Sequence, residues 1–541
     1  MMMFGMNEGL YGNDSKEINF GKNLATLYNI INISQSYMAG LSKYANDFAI
    51  PYLISTSYFN QVERNKLSST SILESLTSYM ELWNFSFDLF SRGFNASLRA
   101  MSDFGQVEAG KFVDALFRTY LREEGEDIEA FTARQAHLID LVVNEYAKAI
   151  QDIESEFGFH FDKGNNVKIA ETDRFILYQI LPTKEKTEVN KKGKPVLIIP
   201  PFVLGANILA FLPSENRSYA HCFANQGIPT YIRILKDIRT TEALQIMTGE
   251  DDANDTRVFC EKVKARHGKP VTLNGYCQGG FSAVCNLLSG ALDGLVDALI
   301  TCVSPIDGTR SEGLSGFLNS LPQRFNDLAY GTKTLANGNK VADGKLMGWI
   351  YKLKSIEDEA PIVAFYRDFM MFARQGEKEK KISKTAAAIN HWLINERFDL
   401  PLEITKMSYA SYNTPITKDG TLPVKLFDRN LNFKRLKAKN IKWLICYGEN
   451  DDLVEKDTAL APLNYIDAEV TPFPKGHVAI ATSWSHPDSA CALHTRFGNQ
   501  GFRGPVRYQL DLDQEIDRNI AKPATGKRNS DAQSHKGKNL L

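Results

Sequence analysis

Hydrophobic positions follow two different periods along the chain. Through residues 20–155 they recur at three-to-four spacing. In SILESLTSYMELWNFSFDLFSRGFNASLRAM (71–101), Ile72, Leu73, Leu76, Tyr79, Met80, Trp83, Phe87, Leu89 and Phe90 form one broad apolar face. That spacing predicts an amphipathic helix, and DIEAFTARQAHLIDLVVNEYAKAIQDIESEFG (127–158) repeats it. Helices of this kind either pack as a bundle on a main domain or offer a face to a partner or a hydrophobic surface. From about residue 168 the period changes. DRFILYQILP (173–182), PVLIIPPFVLG (195–205), GIPTYIRIL (227–235), KPVTLNGY (269–276) and DALITCVSP (297–305) read as strands, and several are continuous apolar runs. Helical segments near 250–266 and 281–295 fall between them. Strands alternating with helices predict a mostly parallel sheet covered on both faces. Residues 306–395 break the rhythm and are expected to cap one end of the sheet; NIKWLICYGEND (440–451) and AEVTPFPKGH (468–477) resume it. The expected organisation is a helical region over 1–165, an α/β catalytic domain over 166–500 and a polar, disordered tail over 501–541.

Composition narrows the class of function. The chain has 541 residues, 43% hydrophobic and 23% charged, with a net charge of −1. No overall field favours nucleic acid or an anionic membrane. Seven cysteines are scattered without a C-x-x-C pair, so neither a metal site nor a disulfide framework is expected. A reducing compartment, the cytoplasm, is the expectation. The opening MMMFGMNEGLYGND has no basic region leading into an apolar core, and no transmembrane segment is expected.

The chemistry centres on VTLNGYCQGGFSAVCNLLSG (271–290), where a strand turns into a helix at Cys277. Gly275-x-Cys277-x-Gly279 is the cysteine form of a nucleophile elbow, in which glycines relieve clashes as the backbone doubles back. A helix N-terminus beside a thiol favours thiolate. The amide of Gln278 would supply one oxyanion donor, and PPFVLG (200–205) the second, from Val203 or Phe202. On an α/β-hydrolase fold the acid follows a late strand and the histidine the last one. WLICYGENDD offers Asp451, with Asp452 as the alternative, and VTPFPKGHVAI offers His477. Of the nine histidines, only His477 follows the last predicted strand directly.

GYCQGG, the proline-rich VLIIPPFVLGANILAFLPSENRSYAHCFANQGIPTYI, YGENDDLV and KGHVA together resemble the polyhydroxyalkanoate (PHA) synthase family over about residues 170–495. The resemblance implies an α/β-hydrolase fold with a helical cap. It implies polymerisation of (R)-3-hydroxyacyl-CoA into polyester with release of CoA, with no cofactor beyond the CoA thioester substrate. Cys277 would carry the acyl group, His477 would activate the thiol or the incoming hydroxyl, and Asp451 would orient His477. A homodimer or attachment to polyester granules would follow the same resemblance. The chain departs from the family at three places. Asp452 stands where a histidine usually follows the acid. FVLGANILAF replaces an Asn-Lys-aromatic run, and Leu235-Lys236 replaces a Trp-Lys pair. These positions border the expected acyl and CoA sites, which leaves substrate choice open. The alternatives are a cysteine-dependent thioesterase or dienelactone-hydrolase-like enzyme, and a non-catalytic granule protein. Lys236, Arg239 and the lysines of 377–384 are the basic residues considered for CoA phosphates.

Overall fold

A computed structural model describes residues 14–163, 166–321, 328–374 and 382–521. Its centre is an eight-stranded sheet: β1 (Asn166–Glu171), β2 (Phe175–Ile180), β3 (Val196–Ile199), β4 (Thr230–Leu235), β5 (Val271–Tyr276), β6 (Val296–Cys302), β7 (Lys442–Gly448) and β8 (Glu469–Phe473). The order is β1-β2-β4-β3-β5-β6-β7-β8. Strand β2 runs antiparallel to both its neighbours, and the pairs from β4 to β8 are parallel. This is the α/β-hydrolase sheet. The middle strands β3 and β5 are buried at every position, as expected for strands covered on both faces. Register matters for function: Tyr276 pairs with Cys302, Cys302 with Cys446, and Gly448 with Phe473. The carboxyl ends of β5, β7 and β8 therefore stop near one level, and the loops leaving them meet there.

Helices α1 (Asp14–Lys66) and α2 (Ile72–Leu121) form a long hairpin, followed by α3 (Ile128–Asp140). Ser71 and Glu74 close a capping box at the start of α2, satisfying orphan amides there. Two helices cover the sheet centre: α4 (Gly249–His267) and α5 (Gln278–Ser289). Between them lies a fully buried ion pair, Arg233–Asp252 at 2.7 Å, with Ser282 and Asn286 of α5 donating to the same carboxylate. Buried charges persist only when paired and hydrogen-bonded in this way.

The excursion between β6 and β7 is longer than the sequence predicts. It runs from Val303 to Ile441 and includes α6 (Gly344–Lys354), α7 (Pro361–Arg374), α8 (Leu402–Asn413) and a hairpin of Thr421–Leu426 with Arg429–Asn432. The N-terminal hairpin packs on this excursion. Leu89 meets Phe317, Leu346, Trp349 and Leu353 in one cluster, and Tyr37, Tyr44 and Phe104 join Phe365, Tyr366 and Phe369 in another. Only one stripe of α2 is covered; Trp83 stays 72% and Phe90 67% exposed.

The expected disordered tail over 501–541 is corrected by α9 (Pro505–Ala521). Val506, Tyr508 and Leu512 bury its inner face, and Asp513 accepts from the Lys194 amide and from the Lys269 ammonium. Residues 522–541 lie outside the described residues. Among the described residues no helix is long and apolar enough to cross a membrane.

Candidate active site

The chain leaves β5 and enters α5 through Cys277, whose backbone sits at φ 51°, ψ −126°. For a residue with a Cβ this costs of order 1–3 kcal/mol and persists only where the surroundings impose it. They do so here. The Cys277 amide donates to the Cys302 carbonyl at 2.8 Å, and the Cys277 carbonyl accepts from Gly280 at 2.9 Å. A Cβ on Gly275 would lie 2.3 Å from Gly280 Cα, and one on Gly279 would lie 2.2 Å from the Ile199 carbonyl. Sequence reasoning picks out Gly275 and Gly279 but not Gly280, where a Cβ would strike Ser304 Oγ at 1.9 Å. The adjoining Gly-Gly doublet is the signal for it. We expect Gly279→Ala to cost about 1–3 kcal/mol or more by overpacking backbone that cannot yield. A urea midpoint unchanged from wild type would contradict this.

Of the two acid candidates, Asp451 is the one that faces His477. Its Oδ2 lies 2.8 Å from His477 Nδ1, while its Oδ1 accepts from the amides of Leu453 (3.0 Å) and Val454 (2.9 Å). Those two bonds hold the carboxylate oriented toward the imidazole. Asp452 turns away; its backbone carbonyl accepts from Lys354 Nζ. Burial alone would lower the His477 pKa. The charge of Asp451, then that of Cys277, outweighs it and holds the imidazole well above its ordinary value. His477 Nε2 is buried and makes no regular hydrogen bond. Cys277 acts on the imidazole through its charge and as a side-chain neighbour. Tyr276, which sequence reasoning passes over, donates its hydroxyl to the His477 carbonyl at 3.0 Å. The residue beside Cys277 thus anchors the histidine loop.

Cys277, Gln278 and Val203 open onto one chamber of about 760 Å³. Phe202, the other oxyanion candidate, is buried with its ring beneath the Arg233 guanidinium. The Val203 loop is held from the excursion. Phe398 donates its amide to the Val203 carbonyl (3.1 Å), Trp392 Nε1 donates to the Leu204 carbonyl (3.0 Å), and Asn207 Nδ2 donates to Glu396 (2.7 Å). Burial pushes the Glu396 carboxyl up. Gln278 is fixed by its side-chain amide donating to Ser408 Oγ at 2.6 Å. No local pattern marks Trp392, Glu396, Phe398 or Ser408 as neighbours of residues 200–280; only the fold brings them there.

The basic residues considered for CoA are engaged elsewhere: Lys236 faces Glu171, Arg239 faces Asp237, and Lys384 faces Glu156 and Glu215. The lysines of 377–381 lie outside the described residues. No group of three or more His, Cys, Asp or Glu among the described residues could hold a metal ion.

No family model matches the chain, and no curated protein matches it. Solved structures do. Naproxen esterase from Bacillus subtilis aligns over 70% of this chain and 98% of its own, at 10% identity and TM-score 0.33. A thioesterase domain from the curacin biosynthetic pathway aligns over 59% and 95%, at 11% identity and TM-score 0.32. A soluble variant of monoglyceride lipase from Saccharomyces cerevisiae aligns over 68% and 97%, at 12% identity and TM-score 0.32.

Proposed function

We propose that this chain is an acyltransferase that takes a hydroxyacyl group from CoA onto Cys277 and passes it to the hydroxyl of a second unit, making polyester. The observation that carries the reading is a Cys277–His477–Asp451 array opening onto a large chamber lined mostly by carbon. With its proton already passed to His477 Nε2, the Cys277 Sγ attacks the thioester carbonyl as a thiolate. The oxyanion is received by the amides of Gln278 and Val203. The bond to the CoA sulfur breaks, and that sulfur recovers the proton from His477. In the second half, the hydroxyl of the next unit gives its proton to His477 and attacks the Cys277 thioester. The ester forms, and the thiolate of Cys277 recovers the proton. A thiol suits this exchange, since its acyl thioester stays reactive toward an alcohol. An apolar chamber keeps competing water low.

The test is CoA release from (R)-3-hydroxyacyl-CoA with the product sized. We expect CoA and high-mass polyester in step. CoA accompanied only by free hydroxy acid would make the chain a thioesterase instead.

A further inference from the structure

We infer that the N-terminal helices α1 and α2 are part of the acyl site, and that the site takes a long aliphatic acyl chain. The inference rests on the acyltransfer reading for the identity of the ligand but not for its binding. The chamber that begins at Cys277 does not end within the α/β domain. Its far wall is Phe48 and Tyr52 of α1 with Phe85 and Leu89 of α2, facing Trp349 and Leu353 of α6. The wall is held in place by polar ties at its edges. Tyr58 donates to Asp343 at 2.7 Å, Arg92 makes a two-pronged bond to Glu357 (2.6 and 2.9 Å), and Tyr44 donates to Asp368. At Gly93 the helices approach so closely that a Cβ would lie 3.2 Å from Ile356.

Size and chemistry then choose the ligand. At about 30 Å³ per water-sized group, the 760 Å³ chamber has room for roughly 25 such groups. A four-carbon acyl group would leave most of that carbon surface in contact with water. A chain of a dozen carbons covers far more of it. Phe90 and Phe94 line the chamber and are themselves exposed, so its far end reaches the surface and sets no sharp upper limit on length.

Binding is measured on Cys277→Ala, which cannot turn substrate over, by calorimetry with butyryl-, octanoyl- and dodecanoyl-CoA. Full burial gives about fourfold per methylene, so a gain of at least about 100-fold from butyryl to dodecanoyl is expected. Ala49→Trp in α1 and Ser86→Trp in α2 fill the chamber from its two helices. Each, placed in the Cys277→Ala background, is expected to reduce that gain at least tenfold. Equal affinities along the series overturn the inference. So does a gain that neither tryptophan touches, since the chain would then lie elsewhere. If the gain appears but wild type releases no CoA, the acyltransfer reading fails and the chamber stands.

Discussion

Cys277→Ala is expected to lower CoA release by on the order of 10⁴–10⁶-fold, as loss of a nucleophile does when it works as a unit with its base. Six other cysteines are present, and none is placed to substitute. Cys222 gives its thiol to the Ser485 carbonyl, and burial pushes it and Cys260 up to about 12. Burial raises Cys285, Cys446 and Cys491 as well. Cys302 is wholly buried beside the Tyr219 hydroxyl. Cys277 alone faces both the chamber and His477. It should therefore be the first thiol to take iodoacetamide, read by mass spectrometry of the digested protein. A variant keeping a tenth of wild-type turnover, or label entering another cysteine first, would remove Cys277 from the reaction.

Asp451→Asn is expected to cost about 10⁴-fold in turnover with little change in fold, because an amide presents a donor to Nδ1 and selects the wrong tautomer. The same change should lower the His477 pKa, since Asp451 is the largest influence raising it. NMR titration of the imidazole reads that shift, and an unaltered pKa would contradict it. The sign for stability follows. Folding raises this pKa above its unfolded value near 6.5. The histidine's contribution is therefore complete below that pH and is lost as pH rises through the folded value. Asp452→Asn is the control: its side chain is exposed, and its tie to Lys354 is through the backbone. A larger loss in Asp452→Asn than in Asp451→Asn would move the role to Asp452.

Much of this was legible in the sequence, for identifiable reasons. Strands β3, β5 and β7 are buried on both faces, so their apolar runs are unbroken, and the elbow is spelled out locally. Strand β1 was not predicted. It lies at the sheet edge, and NVKIAE buries only Ala170, which leaves no strong period to read. The helix α9 was hidden by the polar composition around it, although Val506, Tyr508 and Leu512 carry the inward pattern. Asp451 could not be told from Asp452 without the turn that pins one of them. The chamber wall was beyond reach altogether. It depends on residues 45–97 meeting residues 314–362, and no local pattern encodes a meeting at that separation.

That separation bears on how the protein is made. Tyr58 must wait for Asp343, 285 residues later. At about 5–20 residues per second, synthesis of that stretch takes roughly 15–60 s. For that interval the inner stripe of α2, including Leu89 and Gly93, emerges without the helices that cover it, alongside an outer face that is apolar even in the finished fold. The hairpin thus emerges long before the helices of the excursion that bury its inner stripe. Until they arrive, that apolar stripe is open to non-native contacts.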